Sequence, residues 1–204
     1  MRSFLVNDMT LNRRSFAALL GAALVVPGTA FALSNGQAEQ LVKSMVADVE
    51  KVINSNRSPA AIIGEFEGIF ERYADVSTIA RFSLGVAARS ASASDLRAYT
   101  DAYTSYVADK YGRRFQEFKG GEMTVNGVRP EGKYLVVRST ATLRGQSPIA
   151  VDFHVSDRSG SVKVFNVIIE GVNMLTTERA EIGALLDQAG GSIPRLTQRL
   201  QQSS

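Results

Sequence analysis

The apolar residues of this chain keep a helical period as far as Phe115 and a strand period from Met123, with the glycine pair Gly120-Gly121 between them. Apolar positions three and four apart gather on one face of a helix, whereas positions two apart gather on one face of a strand. A long helical half followed by a run of strands is not the pattern of a parallel sheet, in which strand and helix alternate. The expected fold is α+β: helices packed on one side of a curved, four-stranded antiparallel sheet.

The helical half divides at its caps. Val42, Met45, Val46, Val49, Val52 and Ile53 make one stripe between Asn35 and Ser55. Ser58-Pro59 starts a second helix carrying Ile62, Ile63, Phe66, Ile69, Phe70 and Tyr73. Asp75 starts a shorter one with Val76, Ile79 and Phe82. Ser94 is the expected cap of the longest helix, whose stripe is Leu96, Tyr99, Tyr103, Tyr106, Val107, Tyr111 and Phe115.

Met123–Val128, Tyr134–Leu143, Pro148–Val155 and Val162–Ile169 read as four strands, with connections short enough for antiparallel pairing. In the third, Ile149, Val151, Phe153 and Val155 share one face, and Ala150, Asp152 and His154 share the other. Helix is expected again over 177–189 and 192–201.

At the start of the chain, NRRSFAALLGAALVVPGTAFA (12–32) has paired arginines, an apolar run from Phe16 to Val26 and a small-residue ending Ala30-Phe31-Ala32. A membrane helix needs about 20 apolar residues, so this is expected to be a cleaved export signal rather than an anchor. Arg13-Arg14 resembles the twin-arginine type, with the general secretory route as the alternative. Residues 1–32 are then the signal and residues 33–204 a single domain in the periplasm. Without the signal, 20 basic and 19 acidic residues remain, and the net charge of +3 nearly disappears. Nucleic acid is not indicated.

The chain has no cysteine, no tryptophan and one histidine, which removes the usual thiol and zinc chemistry. His154 and Asp152 share a strand face, and a small hydrolase or isomerase would use them as acid and base. A solvated outer face is the competing reading. Asp152 with Glu170 is a weak cation signal, since no loop of oxygen ligands accompanies them, and no metal is expected. No phosphate cradle or Gly-x-Ser-x-Gly elbow occurs. The inward positions are almost wholly apolar or tyrosine, which fits either a packed core or a cavity for an apolar ligand.

The segment FNVIIEGVNMLTTERAEI (165–182), followed by Gly190-Gly-Ser-Ile-Pro-Arg-Leu196, resembles the end of the MlaC, or toluene-tolerance, family of periplasmic phospholipid carriers. Tyr73-Ala-Asp-Val76, Ile79-Ala-Arg-Phe-Ser-Leu-Gly85, the aromatic helix through Tyr111-Gly112, and Val151-Asp-Phe153 extend the resemblance over nearly all of residues 33–204. Val86-Ala87-Ala88 and Val162 depart from it, where family members often carry an aromatic residue and a tryptophan.

The resemblance implies a non-enzymatic shuttle with bound phospholipid as cargo and no cofactor. Its partners would be an outer-membrane lipoprotein complex and an inner-membrane ABC transporter complex with an MCE-type component, and its role the maintenance of outer-membrane lipid asymmetry. A hopanoid or another apolar lipid is the alternative cargo. Acyl chains would lie between sheet and helices. By position, Tyr111, Val151 and Val172 are expected to contact lipid, and the Gly171-Val172 corner to frame the pocket mouth. Phe66, Phe70, Tyr103 and Phe153 are expected to line the same space, with ordinary core as the competing reading. Lys110, Arg113 and Arg114 would meet a phosphate or a partner, or else form a solvated helix face.

Overall fold

The computed structural model describes residues 33–203. The export signal expected over residues 1–32 lies outside them.

Four helices come first. α1 (Asn35–Ile53) starts at a reciprocal cap. The Ser34 hydroxyl accepts from Gln37 N–H at 3.2 Å, and Gln37 Oε1 accepts from Ser34 N–H at 3.0 Å. α2 (Pro59–Tyr73) follows the Ser58 cap with proline in its first turn, and α3 (Val76–Leu84) is capped by Asp75. α4 (Ala93–Phe115) is capped by Ser92, whose hydroxyl accepts from Asp95 N–H at 3.0 Å. Ser94, the expected cap, instead bonds the Ser92 hydroxyl at 2.9 Å. Short 3-10 turns follow α3 and α4 at Gly85–Arg89 and Gln116–Phe118.

The sheet is antiparallel, open and five-stranded, in the order β1 (Glu122–Glu131), β2 (Tyr134–Thr142), β3 (Ile149–Ser156), β4 (Lys163–Ile169), β5 (Val172–Asn173). The fifth strand corrects the expected four. Glu170 (φ 49°) and Gly171 (φ 78°) both adopt positive φ between the paired residues Ile169 and Val172, as a two-residue primed hairpin turn requires. What the sequence shows as a corner is thus a hairpin of which β5 is the return. β5 is too short to display alternation.

Asn173 ends β5 and caps α5 (Met174–Gln188), accepting from Thr176 N–H at 3.1 Å. The helix therefore begins three residues before the expected Thr177. α6 (Ile193–Ser203) closes the described chain.

A bulge between β3 and β4 sets the inward face. His154 pairs with Asn166 and Val155 with Val164, so Phe165 is the extra residue. The shift allows Val164, Val167 and Ile169 to serve one face, which strict alternation forbids. The free half of the β4 edge is covered at the α2–α3 junction, where Asp75 N–H donates to the Val164 carbonyl at 2.8 Å.

The interior divides into separate clusters. Tyr99, Tyr103, Ile182, Leu196 and Leu200 pack α4, α5 and α6 together with α3. Val42 and Val46 of α1 pack on Val137, Val151, Phe153 and Val164 of the sheet. A smaller group, Val52, Ile62 and Ile69, joins α1 to α2. A domain of this size ordinarily has one contiguous core. Here the clusters surround a space.

Candidate ligand-binding cavity

The space is a cavity of about 310 Å³, at the lower end of the volumes typical of ligand sites. Elements of both layers each give it a stripe. Phe66 and Phe70 are one turn apart on α2, Tyr103, Val107 and Tyr111 are successive turns of α4, and Val151 and Phe153 are alternate residues of β3. The wall is consequently apolar on the helical side and the sheet side alike.

The structure places Phe66, Phe70, Tyr103, Tyr111, Val151 and Phe153 on this wall. Val172 is elsewhere: it is not a lining residue and is 54% exposed, while its hairpin partner Ile169 does line the cavity. Direct pairing puts both side chains on the same face of the sheet, but Val172 lies one strand farther out, on the edge strand β5, and stays open to solvent. Val151 is 5% exposed.

The three basic residues near the end of α4 separate. Lys110 is only 19% exposed and donates to Glu178 Oε1 at 2.7 Å and Glu181 Oε2 at 2.5 Å, both on α5. Arg113 is engaged by Asp109 on its own helix, at 2.7 Å and 2.9 Å. Arg114 is exposed. Lys110 is thus committed to two carboxylates, and Arg113 to one.

The tyrosines of α4 complete a polar network along one side of the cavity. Tyr111 donates to Glu178 and Tyr106 to Glu181. Burial, then the hydrogen bonds to these carboxylates, raise both hydroxyls above their ordinary value. Glu181 is held below the usual carboxylate range by Lys110 and Tyr106, against the opposing effect of burial.

Glu178 went unseen in the sequence reading. Its position carries a signal nonetheless: Ile182 and Leu186, four and eight residues on, are buried, so the inward face of α5 passes through residue 178. Asn166 was also missed. It is buried, and its Oδ1 accepts from Leu175 N–H at 3.1 Å and Val167 N–H at 2.8 Å, pinning the start of α5 to β4.

His154 and Asp152 do not line the cavity. The His154 ring stacks on Tyr134 at 4.9 Å and lies 5.8 Å from Phe165, with Nδ1 3.4 Å from Asn166 Nδ2. Burial pushes its pKa below the ordinary value. Glu170, the other residue of the cation reading, accepts from Ala150 N–H and so closes the hairpin onto β3. Among the described residues no group of three or more carboxylates and histidines is placed to hold a metal ion.

Among the described residues, six helices, an open antiparallel sheet and an apolar cavity between them define a small α+β domain of binding-protein type. Residues 39–202 match the family described as MlaC protein, and the chain belongs to that family. Its fold is similar to that of a phospholipid-binding protein from Ralstonia solanacearum, solved in complex with a phospholipid. The two are 20% identical, with a TM-score of 0.70 over 81% of this chain and 96% of the other. At that identity the likeness is one of fold.

Proposed function

We propose that this chain is a phospholipid carrier that holds acyl chains in the cavity and leaves the head group outside. The observation that carries the reading is the cavity itself: an apolar space walled by both layers of the domain, in a chain of the MlaC family. The phospholipid bound by the similarly folded relative supports the choice of cargo.

Magnitudes explain how such a carrier would work. Each buried methylene gains about 0.8 kcal/mol over water, so a lipid with roughly thirty of them does not escape into solvent. A bilayer offers a comparable gain. Release then follows docking to a membrane partner that favours the open or empty state, and requires no chemical step. In this reading the protein works in the periplasm, after export, between an outer-membrane complex and an inner-membrane ABC transporter complex, and helps keep the outer membrane asymmetric.

The test is extraction of lipid from protein purified under mild conditions from a membrane-containing host, followed by mass spectrometry and by transfer between donor and acceptor vesicles. Diacyl phospholipid in the extract and protein-dependent transfer are expected. Protein that emerges empty and transfers nothing would sink the proposal, and a terpenoid in the extract would overturn the cargo.

A further inference from the structure

Among the described residues, the cavity wall contains two buried polar atoms without a hydrogen-bond partner, the Tyr103 hydroxyl and Glu178 Oε2. Tyr103 is fully buried, and the Glu178 side chain is 6% exposed. Buried polar groups are ordinarily hydrogen-bonded, because burial removes the water that otherwise satisfies them. Two such atoms in one largely apolar wall therefore call for a common explanation.

Their neighbours are already engaged. Glu178 Oε1 takes both Lys110 and Tyr111, and Lys110 is shared with Glu181. Ser83, which lies near Tyr103, is in a 2.7 Å hydrogen bond with the Tyr99 hydroxyl and donates to the Ala80 carbonyl at 2.8 Å. Nor do the two atoms bond each other.

The two atoms differ in what they need. Burial, and next the charge of Glu178, push the Tyr103 hydroxyl far above its ordinary value, so it keeps its proton and has it to donate. The Glu178 carboxylate, with two donors already on Oε1, has an acceptor to offer on Oε2. An alkyl chain answers neither atom. An ester carbonyl answers only Tyr103 and an ammonium only Glu178, while a phosphate brings negative charge toward Glu178 and Glu181. A hydroxyl both donates and accepts.

We infer that the Tyr103 hydroxyl and Glu178 Oε2 form a hydrogen-bonding subsite in the cavity wall that takes a hydroxyl group on an otherwise apolar ligand. The inference rests on the reading of the cavity as a lipid site and narrows it: among lipids of equal chain length, one with a free hydroxyl is preferred. A site whose buried polar groups are answered by a ligand hydroxyl discriminates strongly against the analogue that lacks it.

The test uses delipidated protein, a fluorescent long-chain probe, and displacement by 1-octadecanol or 1-octadecene, which differ in the hydroxyl. Octadecanol is expected to displace the probe at a concentration lower by at least about tenfold, the equivalent of one retained hydrogen bond to a charged group. Tyr103→Phe, which removes a hydroxyl with no partner in the protein, is expected to bring the two displacement curves together. Glu178→Gln is expected to narrow the gap as well. Equal displacement by the two compounds in the wild type would overturn the subsite while leaving the lipid reading in place, as would a preference that survives Tyr103→Phe. Failure of both compounds to displace a bound probe would overturn the lipid reading, and the subsite with it.

Discussion

Replacing Val151 by Asp puts a carboxyl group on the inward face of β3, at a position 5% exposed and on the cavity wall. Beside acyl chains an ionised carboxylate is too costly to keep, and the group takes up a proton instead. Holding an aspartate of ordinary pKa protonated at pH 7 costs about 4 kcal/mol. In the ligand-free protein, water can enter with the carboxylate, so most of the cost falls on the liganded state and lowers affinity about a thousandfold. The same figure lies below the typical 5–15 kcal/mol stability of a domain, and the fold is expected to survive. Val172→Asp is the matched control, because Val172 is 54% exposed and not on the wall. The assay is lipid per mole of purified protein by mass spectrometry, with circular dichroism to verify the fold. Val151→Asp is expected to carry a trace of lipid and Val172→Asp the wild-type amount. Wild-type occupancy in folded Val151→Asp would show that this face of β3 does not meet the ligand. Loss of lipid from folded Val172→Asp would return the hairpin corner to the cavity mouth.

Three further outcomes are expected. Burial raises Tyr99 and Tyr103 far above the ordinary 10.0, so the folded protein keeps protons that the unfolded chain gives up. Their stabilising effect, like that of the raised Tyr106 and Tyr111, is complete below pH 10 and declines above it, and Tyr103→Phe should lower the slope in denaturant unfolding between pH 9 and 11.5 by up to about 1.4 kcal/mol per pH unit. Lys110→Met leaves the Glu178 carboxylate, 6% exposed, without its cation and should cost about 3–5 kcal/mol in urea unfolding, with much of the loss recovered in Lys110→Met/Glu178→Gln; a loss under about 1 kcal/mol would refute the pairing. Asn166→Ala removes the acceptor of Leu175 N–H and should cost about 1–3 kcal/mol, with faster hydrogen exchange at Leu175 than in the wild type.

Much of the fold is legible along the chain because its signals are local. Ser58 and Asp75 cap the helices that they mark in the sequence, and Val151, Phe153 and Val155 share the buried face that alternation assigns. Legibility fails where a feature has too few residues or depends on a distant partner. β5 has two residues, and the β4 bulge that turns Val164 and Val167 to one side exists only against His154 and Val155 of β3. Val172 has the residue type of a wall position and the face of its partner Ile169, but lies beyond the wall on the edge strand. Glu178 has the type of a solvated residue, and its burial shows only in its register with Ile182.

The sequence by itself determined the change of period at Gly120-Gly121, the stripes that bring Phe66 with Phe70 and Tyr103 with Tyr111, and the supply of apolar residues sufficient for either a solid core or a hollow one. Tertiary structure alone decided between the two. Whether the helical cluster around Tyr103 and the sheet cluster around Val151 merge depends on the distance between layers, and that distance is set where α1 packs on the sheet, α3 and α5 dock on β4, and Asn166 pins the start of α5. Periodicity records which way a side chain points within its own element. It does not record how far away the facing element comes to rest, so the space of about 310 Å³ between them appears only in the assembled fold.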